Sequence, residues 1–469
     1  MSKIKFGTDG WRAIIAKDYT VDNVARVALG TAAWLKKNFD NPSVVIGHDC
    51  RFAGELFAET AAKILATNGV QVYLAKGFVS TPMVSLGTLN QKASLGVVIT
   101  ASHNPPSYNG FKLKGHFGGP LLPEQVQEVE DLIPDNNGVD LEAIKMADLI
   151  ESGKVKHIDL EQQYIDHVEA NFDMDSIRNS KMNFAFDAMY GAGQNVMRRL
   201  LPNITFLHCD ENPGFEGQAP EPIHRNLTEF SELLRISEGD LDCGLAVDGD
   251  ADRIGLYNSE GEFIDSHHII LLLINYLVKE KKMTGKVVNA FSVSPKIKKL
   301  CDAFDLEYLV TKIGFKYIAG HMVSEDVLVG GEESGGIAIK GHIPERDGIW
   351  MGLVIWEYMV KSGKSLDDLI QEVYKVVGAF KFERIDLHLE EATKQKIMAH
   401  CAADDYKSFG KYQVKRVETV DGFKFYFDND EWVMIRPSGT EPVLRTYAES
   451  ETTEGAFAIL KAVHETIQN

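Results

Sequence analysis

The chain reads as an α/β protein, built of three related mixed α/β domains and a smaller α+β domain at its C-terminal end. Three observations predict this. Short apolar runs alternate with amphipathic stretches of helical period. The alternation returns at a spacing of about one hundred residues, too long for a solenoid repeat. From residue 372 onward the pattern changes to several strand-like runs flanked by two helical ones.

Taken in order, residues 20–39 carry apolar side chains at helical spacing, with Thr20 placed to cap the start. SVVIGHD reads as a buried strand, GELFAETAAKILATNG as a helix stopped by Gly69, and QVYLAKG and ASLGVVIT as further strands. The pattern resumes with LEQQYIDHVEANF before the strand NFAFDAMYG, and again with HHIILLLINYLVKE before KVVNAFSVS. The last segment offers KFERIDLHL, a helix, YQVKRVET, GFKFYFDN, EWVMIRP and a closing helix. Boundaries fall near residues 150, 255 and 372, giving domains 1–150, 151–255, 256–371 and 372–469.

Composition narrows the function. The 469 residues are 44% hydrophobic and 25% charged, an ordinary globular balance. A net charge of −19 argues against nucleic acid as a partner, so an anionic ligand needs locally gathered Lys and Arg. The five scattered cysteines form no CxxC pair, which suggests neither a disulfide framework nor a zinc knuckle and fits a reducing, cytoplasmic setting. No secretory segment is expected at the start. The longest apolar run, from Ile269, is about half a membrane span and reads as a buried helix, so no membrane partner is expected.

Four segments carry chemistry. TASHNPPSYNGFKLK follows a buried strand, and ligands gather at the carboxyl ends of strands in α/β sheets. Ser102 sits at such an end. A serine hydroxyl is a weak nucleophile unless assisted, and His103 and Lys112 are placed to assist it. An ordinary turn with incidental polar residues is the competing reading.

AVDGDADRIGLY places Asp248, Asp250 and Asp252 on alternate positions, with Arg253 next. Three carboxylates suit Mg²⁺. In an extended strand the outer two would lie ~13 Å apart, at about 3.3 Å per residue. Octahedral ligands at about 2.1 Å cannot span that distance, so the segment must curl into a loop, which Gly249 permits. An EF-hand is excluded, because Arg253 stands where its glycine belongs and Ser259 where its glutamate belongs. An acidic surface loop is disfavoured by the apolar residues pressed against both sides of the triplet.

In VGGEESGGIAIKGHIPERDG the glycines allow tight turns, and Glu332 and Ser334 offer acceptors and a donor suited to sugar hydroxyls. In VMIRPSGTEPVLRTY a strand leads to Arg436, Ser438, Gly439 and Thr440, with Arg445 beyond. A guanidinium, two hydroxyls and the N–H groups around a glycine can enclose a phosphate, although the P-loop spacing is absent.

In this order FGTDGWR, TASHNPPSYNGFKLK, DGDADR, GGEESGG and RPSGTEP resemble the α-D-phosphohexomutase family over essentially the whole chain. The resemblance implies four domains around a central active-site cleft. It makes Ser102 the carrier of a phosphoryl group and a metal ligand beside Asp248, Asp250 and Asp252, with one Mg²⁺ per chain. It implies interconversion of hexose 1- and 6-phosphates through a hexose 1,6-bisphosphate, which serves as intermediate and activator. Arg12 and Lys112 then lie near the reacting hydroxyl, Lys112 as general acid/base, and His103 orients or neutralises the phosphoserine. Arg253, and Lys312 or Lys316 in TKIGFK, line the cleft. Glu332 and Ser334 read sugar hydroxyls, while Arg436, Ser438, Gly439, Thr440 and Arg445 hold the distal phosphate.

For the sugar, the Glu-Glu-Ser start and final Gly336 of the third loop are similar to the glucose type, with mannose and glucosamine as alternatives. An aspartyl-phosphate phosphatase acting through Asp248 is the rival of a different class; DGDAD lacks the Thr or Val expected in its loop. Expected partners are small sugar phosphates, and the expected assembly is a monomer or homodimer.

Overall fold

The computed structural model describes residues 3–437 and 443–468. The first unit is a six-stranded sheet: β1 (Trp11–Ile14), β2 (Ser43–His48), β3 (Gln71–Ala75), β4 (Leu95–Ile99), β5 (Tyr108–Gly115) and β6 (Val155–Ile158). Their order is β1-β5-β4-β2-β3-β6. Strands β2, β3, β4 and β6 are parallel, and β5 and β1 close one edge antiparallel. The near-continuous apolar runs VVIG and LGVVI suit strands covered on both faces. Thr20 caps the helix Val21–Asn38 by accepting the Asn23 N–H at 3.2 Å, and Gly69, at φ +84°, follows the helix Gly54–Thr67.

The second unit contains β7 (Phe184–Asp187), β8 (Thr205–Leu207), β9 (Cys243–Val247), β10 (Ile254–Asn258) and β11 (Phe263–Ile264), in the order β11-β10-β9-β7-β8. The third contains β12 (Lys286–Ala290), β13 (Tyr308–Thr311), β14 (Val327–Gly331) and β15 (Ile337–Ile339), in the order β13-β12-β14-β15. The three sheets share a plan. In each, one strand of the parallel set turns back into an antiparallel neighbour, β4 into β5, β9 into β10 and β14 into β15. The Ser102 loop, the aspartate loop and the Glu332 loop are these three turns, so the internal repeat delivers three different chemistries from equivalent positions.

The fourth unit is an antiparallel sheet of β16 (Lys381–His388), β19 (Arg416–Glu418), β20 (Phe423–Tyr426), β21 (Trp432–Pro437) and β22 (Val443–Ser450), ordered β16-β22-β21-β20-β19. A separate hairpin, β17 (Ser408–Phe409) with β18 (Tyr412–Gln413), takes the start of YQVKRVET, so that run is two short strands instead of one. One face of the main sheet packs under the helices Glu391–Ala402 and Thr453–Ile467 around Ile397, Phe425, Ile435 and Leu460. The other meets the third unit through Phe291, Trp432, Met434 and Tyr447.

The anticipated boundaries each fall short of where the elements end. Strand β6 lies beyond residue 150 yet pairs with β3, and most of the β10–β11 hairpin lies beyond 255 yet completes the second sheet. Residue 372 interrupts the helix Leu366–Val377, whose Leu369, Ile370 and Val373 pack in the core shared by the second and third units. The physical cause is the same each time. An edge strand or last helix finishes a layer after the linker-like residues have passed, and no Pro- or Ser-rich stretch marks the end. The helix Ser266–Lys279 is buried from Ser266 to Leu277, as expected of a core helix. Among the described residues no helix is long and apolar enough to cross a membrane.

Candidate active site

Ser102 stands in the turn after β4 with φ at +52°, a left-handed conformation that a non-glycine residue adopts at a cost. The turn is held on several sides. The Ser102 N–H donates to Thr100 Oγ1 at 2.8 Å, and Thr100 Oγ1 donates to Asp49. Arg51 donates to the carbonyls of Ser102, Asn104 and Pro105 at 2.6, 2.7 and 2.9 Å, and Arg12 donates to Asn104 Oδ1 at 2.7 Å. The Ser102 side chain therefore points where the loop aims it, and its hydroxyl donates to Asp248 Oδ2 at 2.7 Å. His103 Nδ1 lies 3.3 Å from the same hydroxyl. Burial, with Arg253, Arg12 and Lys112 nearby, pushes the His103 pKa well down, which favours a neutral ring.

The aspartates curl as their spacing requires. Asp248 Oδ1 accepts the N–H groups of Asp252 and Arg253 at 2.9 and 3.0 Å, with Ala251 at φ +56° in the bend. Gly249 is demanded by proximity: a Cβ there would sit 2.7 Å from the Ser102 carbonyl oxygen. One oxygen from each of Asp248, Asp250 and Asp252 falls within 4.8 Å of the others, and all three side chains are buried. Burial and the two neighbouring carboxylates push the Asp248 pKa well up.

The carboxylates also show which atoms are spoken for. Asp250 Oδ2 accepts from Lys112 at 2.7 Å and Thr81 at 2.5 Å, and Asp252 Oδ2 from Lys112 at 3.0 Å. Arg346 pairs with Asp252 at 2.7 Å. Asp250 Oδ1 and Asp252 Oδ1 are buried without any hydrogen-bond partner. Orphaned carboxylate oxygens of this kind are costly. With one oxygen of each aspartate within 4.8 Å of the others and the Ser102 hydroxyl on Asp248 Oδ2, the donor set is all oxygen and fits a hard divalent cation.

Lys112 is on strand β5, since NGFKLK is a strand and not part of the loop. Its ammonium also meets Asp9 at 2.9 Å. Burial alone would lower its pKa, but Asp250, Asp252 and Asp9 together raise it. Arg253 is nearly buried, 3.7 Å from Glu221, with its Nε unpartnered.

In the turn after β14, Glu332 is buried and its Oε1 accepts the Gly314 N–H at 2.9 Å. Burial pushes its pKa up to about 7 against the pull of Arg346. Ser334 lies half-buried in the same turn. Lys316 borders a 210 Å³ cavity with Thr8, Asp9 and Gly10, whereas Lys312 is exposed. In the fourth unit Arg436 and Arg445 stand directly opposite on β21 and β22, each with a buried, unpartnered Nε. Each already faces a carboxylate, Arg436 that of Asp421 at 3.2 Å and Arg445 that of Asp386 at 3.9 Å. Ser438, Gly439 and Thr440 lie outside the described residues.

Three residues were missed from sequence. Asp9, inside FGTDGWR, joins Lys112 and Arg346. Arg51 braces the nucleophile turn, and Arg346, inside PERDG, spans Asp9 and Asp252. The available signal was a charged residue at a strand end or beside a Gly turn.

The first, second and third units meet at the one acidic triad found among the described residues, through Ser102 and Lys112, the aspartates themselves, and Arg346, an all-oxygen site beside a buried serine hydroxyl. Family models agree unit by unit: the phosphoglucomutase/phosphomannomutase α/β/α domains I, II and III match residues 3–138, 162–261 and 265–377, and the C-terminal domain matches 388–465. The chain belongs to the α-D-phosphohexomutase family, whose members are intramolecular phosphotransferases. It is 30% identical to a phosphoglucomutase/phosphomannomutase of Thermococcus kodakarensis over 97% of this chain and 96% of that one. It is 29% identical to the phosphoglucosamine mutase of Methanocaldococcus jannaschii, again over 97% and 96%. A crystal structure from Thermus thermophilus, provisionally named a phosphomannomutase, superposes with a TM-score of 0.87 at 30% identity over 100% of both chains.

Proposed function

We propose that this chain interconverts the 1- and 6-phosphates of mannose or glucosamine, through phosphorylated Ser102 and a hexose 1,6-bisphosphate. One observation carries the chemistry: a buried serine hydroxyl, held in a strained turn, 2.7 Å from a carboxylate of a triad with orphaned oxygens. Mg²⁺ held by Asp248, Asp250, Asp252 and Ser102 would supply charge for the transferring phosphoryl group. The chain's own groups do the rest. Arg51 and Arg12 fix the turn, His103 orients the hydroxyl, and Lys112 exchanges a proton with the reacting sugar oxygen. Glu332 and Ser334 bind sugar hydroxyls. Arg436 and Arg445, with Ser438, Gly439 and Thr440, grip the phosphate that is not reacting. Arg253 and Lys316 add positive charge to the cleft wall.

The glucose preference expected from Glu332, Ser334 and Gly336 gives way here. The relatives of the same length and similar identity are named for glucosamine phosphate and for glucose/mannose phosphate, which supports the mannose and glucosamine alternatives. An activity panel of glucose, mannose, glucosamine and N-acetylglucosamine phosphates, primed with bisphosphate, tests the sugar. Peptide mapping of the phosphorylated enzyme tests the mechanism. Label on Ser102 is expected; label on Asp248 would establish the aspartyl-phosphate phosphatase instead.

A further inference from the structure

The phosphate grip and the sugar-reading loop belong to different units, yet one peptide joins them. Strand β13 ends at Thr311, and the helix Phe315–Ser324 begins four residues later. Between them, the consecutive N–H groups of Ile313 and Gly314 are held by two carboxylates from different units. Gly314 donates to Glu332 Oε1 at 2.9 Å, within the third unit. Ile313 donates to Asp421 Oδ2 at 2.9 Å, in the fourth. The same Asp421 oxygen accepts from the Arg436 guanidinium at 3.2 Å.

The local backbone fixes both ends of this chain of contacts. Gly314 is at φ +132°, and a Cβ on it would meet Thr8 Cγ2 at 3.0 Å, so the peptide has little freedom. Gly422, at φ +100°, lets its turn lie against β21. A Cβ there would come within 2.8 Å of the Ile435 carbonyl oxygen and 3.1 Å of Arg436 Cβ. Asp421 is therefore set beside Arg436 by close backbone approach, whatever its side chain does. Ile313 itself packs on the apolar contact between the third and fourth units, next to Phe291, Trp432 and Tyr447.

We infer that Asp421 is a positioning residue. It aims Arg436 at the distal phosphate and, through the Ile313–Gly314 peptide, ties that aim to the placement of Glu332. A shift of the fourth unit then moves the sugar-reading carboxylate, and a sugar that displaces Glu332 shifts the phosphate grip. The inference rests on the roles given above to Arg436 and Glu332, so its test has one arm that needs no substrate.

That arm is hydrogen exchange of the unliganded full chain. Asp421→Ala should speed exchange of the Ile313 amide by at least tenfold, and Asp421→Asn should restore protection, because an amide oxygen still accepts the N–H. Unchanged exchange in Asp421→Ala overturns the inference, whatever the enzyme's substrate. The second arm is calorimetric binding of mannose 6-phosphate and glucosamine 6-phosphate. Asp421→Ala and Asp421→Asn should both weaken binding about fivefold or more, since neither retains the charge that aims Arg436. In an Arg436→Ala background the same substitutions should cost less than twofold. Recovery of affinity by Asp421→Asn, or an equal loss in the Arg436→Ala background, would show a merely structural residue. If the parent binds neither sugar phosphate, the functional proposal fails and the exchange arm alone decides the role of Asp421.

Discussion

Ser102 shows the conflict between stability and chemistry in one backbone angle. A left-handed residue other than glycine costs on the order of 1–2 kcal/mol. Ser102→Gly should therefore be more stable than Ser102→Ala by about 1 kcal/mol, while both lose essentially all mutase turnover. Paired urea titrations and activity assays check both halves; a less stable glycine variant would mean that the turn is not strained. Asp250→Asn exchanges a hard anionic ligand for a neutral one. Its calorimetric Mg²⁺ affinity should fall by tenfold or more, and an unaltered titration would remove the triad as the metal site. The triad and Ser102 were legible in sequence because each lies in a short stretch of telling composition. Asp9 and Arg346 were not. Each is one charged residue in a loop, and its meaning arises only where three units bring Lys112, Asp252 and each other into contact.

At the scale of elements, the turns matter more than the strands that frame them. Gly249→Ala would place a methyl 2.7 Å from the Ser102 carbonyl oxygen, an atom already held by Arg51 at 2.6 Å. Neither backbone can yield cheaply. The aspartate turn should be pushed off the serine turn, and kcat should fall at least tenfold with the helical circular dichroism unaltered. Near-parental turnover would mean that the two loops need not touch. Helices such as Val21–Asn38 and the parallel strands β2, β3, β4, β7 and β12 were readable from period and apolar runs. Strand β5 was not, because Lys112 and Lys114 interrupt its apolar pattern and the segment reads as a loop. Both are buried, Lys112 against three carboxylates and Lys114 against Glu345 at 2.8 Å. Charge pairing across units hides such a strand from any pattern rule based on polarity.

Considered whole, the molecule is three units joined through one large core and a fourth joined to the third through a smaller one. One core cluster runs from Val84 and Leu160 through Leu245 to Ile355 and Val373, whereas the fourth unit has its own. On the function proposed above, the fourth unit grips the end of the substrate that is not reacting and should serve both orientations. Arg436→Ala is expected to lower kcat/KM by roughly tenfold or more in both directions, the worth of about one charge-assisted hydrogen bond. Ser102 phosphorylation by bisphosphate should remain detectable. Loss confined to one direction would separate Arg436 from a shared phosphate grip.

The ion pairs of Lys112 also set a timetable for the newborn chain. Lys112 and Asp250 are 138 positions apart, so the lysine leaves the ribosome well before its partner exists. At about 5–20 residues per second, the wait is on the order of ten seconds. During it, an ammonium destined for burial has no carboxylate from the second unit, and Ser102 has no metal loop beside it. Until then Lys112 has only Asp9 of its own unit as a partner, and the Ser102 turn lacks the aspartate loop that packs on it. Chains stalled before Asp248 should be cut by protease within TASHNPPSYNGFKLK, and chains stalled after β11 has emerged should resist. Equal resistance in the two would mean that the nucleophile turn matures alone.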